Sequence, residues 1–300
     1  NIKKIIMIKI HEPPISKPDW LKVKLKTSSN FSDMKKLMSD NSLHTVCEEA
    51  RCPNIYECWD QRTATVMILG DICTRSCGFC SVKTGKPLSV DYDEPSRVAK
   101  MVETLNLRHV VITSVDRDEL KNDFGAIIWH DTILSIKDVN PDCTIEVLTP
   151  DFRGYKPSLD LVFKSKPHIF SHNIECVERI SREVRKQSDW QRSLDVLKYA
   201  VDKGMSTKTG MMVGLGETDQ EVYDTMDIIS QTGIEIFNIG QYLQPSKNNL
   251  EVQRFVHPDT FKKYEEYGYR LGFKVVESGP LVRSSYHADS QAREFGLYSK

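Results

Sequence analysis

The chain has 300 residues, of which 39% are hydrophobic and 28% are charged, so it can form one large domain with appendages or two domains. Its 41 basic and 42 acidic side chains give a net charge of -1, which provides no general electrostatic reason to expect nucleic acid or an anionic membrane as a partner. No apolar run approaches the roughly 20 residues that a membrane span needs.

The first sixty residues differ in character from the rest of the chain. The opening segment, NIKKIIMIKI, starts with Asn1 and is too polar and too short for a signal peptide, so we expect it to be the cut end of a longer precursor or an expression boundary. Residues 1–60 carry four prolines and few periodic apolar stretches. This composition predicts an N-terminal arm with short helices over 31–38 and 55–60.

From residue 61 onward, short β-branched runs alternate with stretches of helical periodicity. The predicted strands are 64–69, 109–113, 144–148, 167–170, 208–213 and 234–239, and the predicted helices are 95–107, 125–139, 158–165, 174–185, 189–203 and 219–232. This alternation predicts parallel strands joined by right-handed crossovers. We expect an α/β fold, an incomplete (βα)6 TIM-type barrel over 61–245, although an open doubly wound sheet fits the same pattern. A helix over 258–271 and a strand over 273–277 belong to a C-terminal extension, 246–300.

Six of the eight cysteines lie within 34 residues, in two groups of three. The first triplet is Cys47, Cys52 and Cys58, and the second triplet is Cys73, Cys77 and Cys80. Each is one thiolate short of the four that a closed zinc site or a fully cysteine-ligated cubane cluster needs. Such tight spacing indicates metal binding in a reducing compartment rather than disulfides. We expect Cys143 and Cys176, which lie apart, to be small buried apolar residues.

The second triplet directly follows the strand predicted at 64–69, and Gly78 inside it gives the loop backbone freedom. Three thiolates on one loop can hold three irons of a [4Fe–4S] cubane and leave the fourth iron open to a chelating amine and carboxylate. The alternative is a zinc loop completed by His109 or His172, but zinc sites normally pair one C-x2-C with another. This motif, with Phe79 before its last cysteine, resembles the radical S-adenosylmethionine superfamily.

That resemblance implies a full or partial β/α barrel and a [4Fe–4S] cluster on the second triplet. It also implies that the open iron binds S-adenosylmethionine, which one electron then cleaves to methionine and a 5′-deoxyadenosyl radical. Such a radical abstracts hydrogen from an unactivated carbon, so the cofactor supplies the difficult step and the protein supplies positioning.

The first triplet, in TVCEEARCPNIYECW, resembles one branch of that superfamily, the lipoyl synthases. The matching stretches are 67–80, 111–120, 146–154, 208–222, 239–246 and 278–288, and the resemblance covers roughly residues 13 to 295. It implies an auxiliary [4Fe–4S] cluster on the first triplet, with a serine of the segment 283–286, RSSY, as its fourth ligand. We assign that role to Ser284, with Ser285 as the alternative. A serine alkoxide is a hard ligand and should be labile on iron; the other interpretation is a polar turn under the barrel mouth.

The resemblance further implies a substrate and partners. Two sulfur atoms would enter at C6 and C8 of an octanoyl chain held on a lysine of a carrier, such as glycine-cleavage H protein or the acyltransferase subunit of a 2-oxoacid dehydrogenase. The auxiliary cluster would supply the sulfur, and two S-adenosylmethionine molecules would be consumed per lipoyl group. Rebuilding the cluster implies an iron–sulfur carrier, and the electron implies a reductant such as ferredoxin or flavodoxin. The cytoplasm and an organelle matrix, mitochondrial or plastid-type, all fit.

Residues at strand ends resemble cosubstrate contacts of the superfamily. They are Thr113, Ser114, Asp116, Asn173, Glu175, Gly214, Gln241 and Leu243. Simpler interpretations are a charged solvated loop for 117–119, a helix cap for Asn173 and Glu175, and core burial for Leu243. The loop 121–129 is longer and bulkier than the glycine-rich family pattern, which leaves its contacts open.

Two basic features of the sequence and two alternative functions remain to be weighed. Arg283 is expected to hold the serine segment or to pair with a carboxylate at the barrel mouth. The basic stretch 182–192 is expected to be a solvated surface or, less plainly, a docking patch for an acidic carrier. The alternative functions are a different radical S-adenosylmethionine enzyme with a second cluster, and a non-catalytic metal-binding or electron-transfer protein.

Overall fold

The computed structural model describes residues 16–21, 29–40, 43–49, 52–60, 63 and 65–297. The segment NIKKIIMIKI, and with it the expectation of a cut end, lies outside the described residues.

Ten strands are present in the described part of the chain. They are β1 (His44–Thr45), β2 (Thr65–Ile68), β3 (Ile72–Cys73), β4 (Lys83–Thr84), β5 (His109–Ser114), β6 (Thr144–Leu148), β7 (Ile169–Ser171), β8 (Thr207–Val213), β9 (Ile236–Gln241) and β10 (Val275–Gly279). Eight of them form one sheet in the order β1-β2-β5-β6-β7-β8-β9-β10, and β3 pairs with β4 in the loop after β2. Neighbours in the large sheet run parallel, except that β1 is antiparallel to β2.

The chain winds between these strands through helices. They are α1 (Ser29–Asp40), α2 (Val46–Glu49), α3 (Ile55–Asp60), α4 (Glu94–Leu105), α5 (Ala126–Val139), α6 (Lys156–Lys164), α7 (Glu178–Val184), α8 (Trp190–Asp202), α9 (Asp219–Ser230), α10 (Pro258–Leu271) and α11 (Ala288–Glu294). The predicted incomplete α/β barrel is confirmed. The strand predicted within the C-terminal extension, β10, pairs with β9 and gives the sheet a seventh parallel strand. None of the described helices is long and apolar enough to cross a membrane.

The near-continuous apolar strands are buried on both faces, as parallel strands under helices must be. One face packs against the helices in two large apolar clusters, which include Cys143 and Cys176, so the expectation of buried apolar residues is confirmed for both. The other face points into the barrel. Its registered positions toward the carboxyl ends carry small, polar or flexible side chains: Thr65, Met67, Thr113, Leu148, Gly210, Met212, Asn238 and Gly240.

The opposite, amino-terminal end of the barrel is closed by α11. Ala292 of this helix packs on the first residues of three strands, Ile169, Ile236 and Val275. One layer higher, the buried Lys208 ammonium lies 3.0 Å from the buried Glu146 carboxylate. These contacts fill part of the amino-terminal end of the barrel, and the larger opening lies toward the carboxyl ends of the strands.

Candidate active site

A cavity of about 530 Å³ opens at the carboxyl ends of the parallel strands. This is where the fold gathers functional groups, because each strand ends there in a loop that can vary without disturbing the barrel. The second triplet, two cysteines of the first triplet (Cys47 and Cys52) and the serines 284 and 285 all line this larger cavity. Its volume lies within the range of small-molecule and cofactor sites.

The loop that carries the second triplet is held by backbone hydrogen bonds on both sides. Cys73 lies on β3, and its carbonyl accepts from the Gly85 amide at 3.0 Å. The Cys80 amide donates to the Cys77 carbonyl at 3.1 Å, and the Asn249 side chain donates to the Cys80 carbonyl at 2.8 Å. These contacts fix all three cysteines relative to the barrel mouth.

Gly78 is required in this loop for a different reason from the one expected. It is not among the described residues with a positive φ, so backbone freedom is not what it supplies. A Cβ atom placed there would lie 2.8 Å from Leu250 Cγ. The Gly78 carbonyl accepts from the Leu250 amide at 2.9 Å, so glycine allows the C-terminal segment to approach the loop closely.

Arg75, between the first two cysteines of the second triplet, is buried and surrounded by carboxylates. It donates to Asp118 through Nε and Nη2, both at 2.8 Å, and to Asp151 at 2.7 Å. Its Nη1 lies 3.2 Å from Asp116. Asp116 in turn contacts Cys73, whose thiol donates to the carboxylate at 3.7 Å. The guanidinium therefore ties the cysteine loop to the ends of β5 and β6.

The first triplet lies on the N-terminal arm, with Cys47 in α2 and Cys58 in α3. The Cys52 amide donates to the Cys47 carbonyl at 3.0 Å, and the Cys58 amide donates to the Asn54 carbonyl at 2.9 Å. The Asn54 side chain donates to the Leu281 carbonyl at 2.7 Å. The arm and the C-terminal extension are therefore fastened together beside the first triplet.

All six clustered cysteines are free thiols whose pKa values are raised, mainly because burial disfavours the thiolate. Burial, with a smaller contribution from a neighbouring thiol, raises the pKa of Cys47 to about 11. Burial raises the pKa of Cys77 to about 12, although the charge of Arg185 opposes it. At neutral pH these groups are protonated on their own. A metal that binds them must displace the protons, as metal sites in proteins generally do.

The spacing of the sulfurs suits a cluster better than a single ion. Thiolates on one tetrahedral zinc lie roughly 3.8 Å apart, given a Zn–S distance of about 2.3 Å. Among the described residues, neither triplet has all its sulfurs within 4.8 Å of one another. Each triplet does surround open cavity space, as a cubane whose irons take one thiolate each would need.

The two histidines considered for a zinc site are engaged elsewhere. His172 is buried, with Nδ1 2.8 Å from the Thr149 carbonyl and Nε2 3.0 Å from the Ser193 hydroxyl. His109 lies inside the barrel, with Nδ1 2.8 Å from Thr144 Oγ1. Burial lowers the pKa of His172 to about 4 and that of His109 to about 3, so both are neutral at pH 7.

The two serines of the C-terminal segment have different partners. Ser284 Oγ accepts a hydrogen bond from Asn173 Nδ2 at 2.6 Å, whereas Ser285 Oγ accepts one from Thr65 Oγ1 at 2.6 Å. Both line the larger cavity. Arg283 donates to the Val282 carbonyl at 2.6 Å, so it helps to hold this segment, and its charge lowers the pKa of Cys52 against the larger effect of burial. No carboxylate pairs with Arg283 among the described ion pairs.

Three of the candidates for cosubstrate contact lie on β5 and in the loop after it. Thr113, Ser114 and Asp116 line the larger cavity. The Thr113 hydroxyl donates to the Leu148 carbonyl, and the Ser114 hydroxyl to the Val115 carbonyl. Burial raises the pKa of Asp116 to about 6, although Arg75 opposes this effect.

Asn173 and Glu175 also line the larger cavity, and neither caps the helix that follows. That helix, α7, has Val177 at its N-cap without a side-chain hydrogen bond, so the capping interpretation is wrong. The Asn173 amide donates to Glu175 at 3.2 Å. Glu175 has a φ of +68°, a strained conformation for a residue with a side chain, held by a parallel bridge to Met211.

The last three candidates for cosubstrate contact differ in whether they line the larger cavity. Leu243 and Gln241 line the larger cavity, and Leu243 is only partly buried, so core burial does not describe it. Gly214 does not line it: a Cβ atom there would overlap the Gln241 side chain and the Arg254 carbonyl. At its φ of +97°, Gly214 instead lets the Gln241 amide bond the Arg254 carbonyl at 3.0 Å.

Three buried arginines were not expected from the sequence: Arg75 was not singled out, and Arg117 and Arg185 lie in charged stretches that were expected to be solvated. Arg75 is described above. Arg185 is buried in the wall of the larger cavity, donates to the carbonyls of Asn173 and Ile174 at 3.3 Å each, and opposes burial in setting the pKa of Cys77. Arg117 is buried, with Nη1 2.9 Å from the Leu69 carbonyl. The solvated interpretation is wrong for both Arg117 and Arg185; a pattern of arginine beside cysteine or strand-end residues was the available signal.

Comparison with known proteins agrees with this geometry. The chain matches the family model described as the radical SAM superfamily over residues 67–229, and the model described as the N-terminal domain of lipoyl synthase of the radical SAM family over residues 8–52. Among solved structures, it is similar to SuiB of Streptococcus suis bound to S-adenosylmethionine, with a TM-score of 0.55 and 12% identity over 87% of this chain and 58% of that one. Coproporphyrinogen III oxidase from Escherichia coli gives a TM-score of 0.52 and 13% identity over 75% of this chain and 57% of that one.

Relatives of known name match along almost the whole chain. Lipoyl synthase of Flavobacterium johnsoniae is 51% identical over 280 residues, which span 93% of this chain and 97% of that protein. The mitochondrial lipoyl synthase of Nematostella vectensis is 49% identical over 281 residues, 93% of this chain and 96% of that protein. The chain therefore belongs to the lipoyl synthase family of the radical S-adenosylmethionine superfamily and is a sulfur-inserting enzyme.

Proposed function

We propose that this enzyme inserts two sulfur atoms, at C6 and C8, into an octanoyl chain that is amide-linked to a lysine of a carrier protein. The observation that carries the proposal is that cysteines of both triplets line one cavity. When bound, the group on the second triplet supplies an electron to S-adenosylmethionine, and the group on the first triplet supplies the sulfur. A reaction that needs both a radical and a sulfur atom requires two such sites within reach of one substrate.

The second triplet is the site that keeps an iron open for S-adenosylmethionine. Asp116 and Glu175 line the cavity and interact electrostatically with Cys77 of this triplet, and both can accept hydrogen bonds from the cosubstrate amine. Arg185, which interacts electrostatically with Glu175, is a cation that can pair with the cosubstrate carboxylate. Thr113, Ser114 and Asn173 offer neutral polar groups to the cosubstrate, and Leu243 and Gln241 offer surface against which an adenine can pack. Gly214 does not contact the cosubstrate; it leaves room for the Gln241 side chain.

The first triplet is the site that supplies sulfur, with a hydroxyl as its fourth ligand. Ser284 is our assignment and Ser285 the alternative. Each must give up the hydrogen bond that it now accepts, Ser284 from Asn173 or Ser285 from Thr65, or share its oxygen with iron. Arg283 lies next to both serines and within electrostatic reach of Cys52, so it compensates negative charge at this site.

The partners follow from this chemistry. The octanoyl chain arrives on a carrier domain, for which glycine-cleavage H protein and the acyltransferase subunit of a 2-oxoacid dehydrogenase are our candidates. A reductant such as ferredoxin or flavodoxin supplies electrons, and an iron–sulfur carrier restores the sulfur-donating site. We place the enzyme in a reducing compartment, the cytoplasm or an organelle matrix, because six free thiols must stay reduced.

Separate cysteine variants test whether the first triplet supplies the sulfur and the second triplet cleaves S-adenosylmethionine. Cys52→Ala should abolish sulfur insertion into an octanoylated peptide but leave abortive cleavage of S-adenosylmethionine, and Cys77→Ala should abolish both. Cys143→Ala is the matched control, because that thiol is buried in the apolar core; it should keep both activities. Product formation is measured by mass spectrometry and 5′-deoxyadenosine by chromatography. Lipoyl product from Cys52→Ala would refute the sulfur-donor role of the first triplet.

The serine assignment has its own test. Ser284→Ala should lower lipoyl formation while leaving cleavage of S-adenosylmethionine, and Ser285→Ala should have the smaller effect. Full turnover by Ser284→Ala with loss in Ser285→Ala would transfer the ligand role to Ser285. Iron content and the electron paramagnetic spectrum of each variant, with and without S-adenosylmethionine, show whether the cluster itself has changed.

A further inference from the structure

A second cavity, of about 370 Å³, lies on the far side of the first triplet. Its walls come from the N-terminal arm, from the segment before α11 and the first turn of α11, and from the inward faces of β2 and β5. It contains none of the second-triplet cysteines and none of the cosubstrate candidates. The cavity is therefore separate from the place where S-adenosylmethionine and the octanoyl chain are proposed to meet.

The first triplet forms the partition between the two cavities. Cys47 and Cys52 line both, together with Arg283 and Ser285. Cys58 lines only the second cavity. A group bound to these cysteines would face the substrate on one side and this second space on the other.

The second cavity reaches the surface at a rim of exposed residues. Among the described residues that line it, Glu57, Arg108 and Ser290 are exposed. The rim and the wall behind it carry donors suited to ferrous iron, namely carboxylate, imidazole and thiol. Glu57 accepts from the Tyr286 hydroxyl at 3.2 Å and lies 3.7 Å from His287 Nε2.

We infer that the second cavity is the route by which iron and sulfide from the iron–sulfur carrier reach the first triplet. This inference rests on the proposed function, in which the first triplet gives up sulfur while the larger cavity holds substrate and cosubstrate. The larger cavity touches two cysteines of the first triplet, whereas the second cavity touches all three and leaves the binding places of substrate and cosubstrate undisturbed. Its carboxylate and imidazole groups would hold ferrous iron loosely on the way in.

A bulky side chain at the rim should close this route. The test uses the full chain with the background substitution Cys77→Ala, so that iron uptake reports the first triplet. Ser290→Trp fills the rim; Ser290→Ala is the size control, and Glu294→Trp is the bulk control, because Glu294 is exposed on the same helix but outside the cavity. The cluster-free proteins receive ferrous ammonium sulfate and sodium sulfide anaerobically, and bound iron and visible absorbance are followed in time.

The expected result is that Ser290→Trp slows iron uptake about tenfold, while both controls stay within twofold of the background. Alkylation by iodoacetamide should follow the same order at Cys58 and be unchanged at Cys80, measured by mass spectrometry of the cluster-free chain. Arg108→Trp, on another part of the rim, repeats the test should Ser290→Trp fail to fold. Undiminished iron uptake in a folded rim variant overturns the route. Failure of the background protein itself to take up iron would instead refute the proposed function.

Discussion

At the scale of single residues, the site depends on charges that the fold has removed from water. Arg75 is 3% exposed, and its partner Asp151 lies 76 residues further along the chain. An arginine without a partner in a polar loop is solvated in most proteins, because burying an unpaired charge is costly. Only the carboxylates that the fold brings to Arg75 allow it to be buried. The cysteine ligands could be predicted from local spacing, because three thiols on one loop need no distant partner. The arginines that fix them could not.

Removing the charge of Arg75 should destabilise the protein. Arg75→Met should lower the free energy of unfolding of the cluster-free protein by about 3–5 kcal/mol, because it leaves carboxylates of a buried ion-pair network without their shared cation. Anaerobic urea unfolding followed by circular dichroism measures the change. Iron loading at the second triplet should fall with it, since the guanidinium holds that loop against β5 and β6.

The control for this prediction is Arg153→Met. Arg153 contacts the same carboxylate, Asp118, at 2.7 Å, but its side chain is 39% exposed. Exposed ion pairs contribute about 0–1 kcal/mol. Equal losses of stability in the two variants would show that burial of Arg75 is not what makes its network important.

At the scale of elements, the strands and most helices could be predicted from periodicity, because their apolar patterns coincide with the buried faces. Helix α3 (Ile55–Asp60) and helix α10 (Pro258–Leu271) have the predicted bounds. Helix α7 is shorter than predicted: residues 174–177 have helical periodicity, but Glu175 pairs with Met211 instead. Helix α11 was missed because its sequence, ADSQARE, is polar except where Ala288 and Ala292 are buried.

The contact between β9 and the serine segment gives the second stability prediction. A Cβ atom on Gly240 would overlap the Val282 carbonyl, which belongs to backbone and cannot rotate away. Gly240→Ala should therefore cost about 1–3 kcal/mol of unfolding free energy, as overpacking does. It should also displace the serine segment, and with it the iron bound at the first triplet, as measured by iron analysis after gel filtration.

Gly279→Ala is the matched control on the neighbouring strand. Its Cβ atom would lie 3.4 Å from the Val282 side chain, an ordinary contact, and Gly279 is not among the described residues with positive φ. The change should alter stability by less than about 1 kcal/mol, since the added methyl mainly restricts the unfolded chain. A loss as large as that of Gly240→Ala would mean that the close approach to Val282 is not the cause.

At the scale of the whole molecule, the barrel interior contains buried ionisable side chains, and the stability of the fold depends on their protonation. His109 is buried there, 3.8 Å from Glu146, and the Lys208 charge adds to burial in lowering its pKa to about 3 from the ordinary 6.5; Asp289 acts weakly in the opposite direction. The folded protein therefore binds no proton at His109 over a range in which the unfolded chain does.

The stability of the fold therefore depends on pH, because folding and proton binding at His109 are linked. Above pH 6.5 neither state binds the proton, so His109 adds no pH dependence. As the pH falls from 6.5 toward 3, the unfolded state binds it first, and this residue removes up to about 1.4 kcal/mol of stability per pH unit. His109→Gln should flatten that part of the curve, as measured by urea unfolding from pH 7.5 to 5. A parallel curve for the variant would show that His109 titrates normally in the folded protein.

The hydrogen bond between Asn54 and Leu281 joins residues 227 positions apart. Chains are synthesised at about 5–20 residues per second, so the second half of this contact appears roughly 11–45 s after the first. Until then the first triplet lacks the wall that carries Arg283, Ser284 and Ser285. A ribosome-bound intermediate therefore exposes three thiols without their final enclosure, and completion of this site is a late event in the biogenesis of the enzyme. A truncated chain that ends before residue 281 cannot form it.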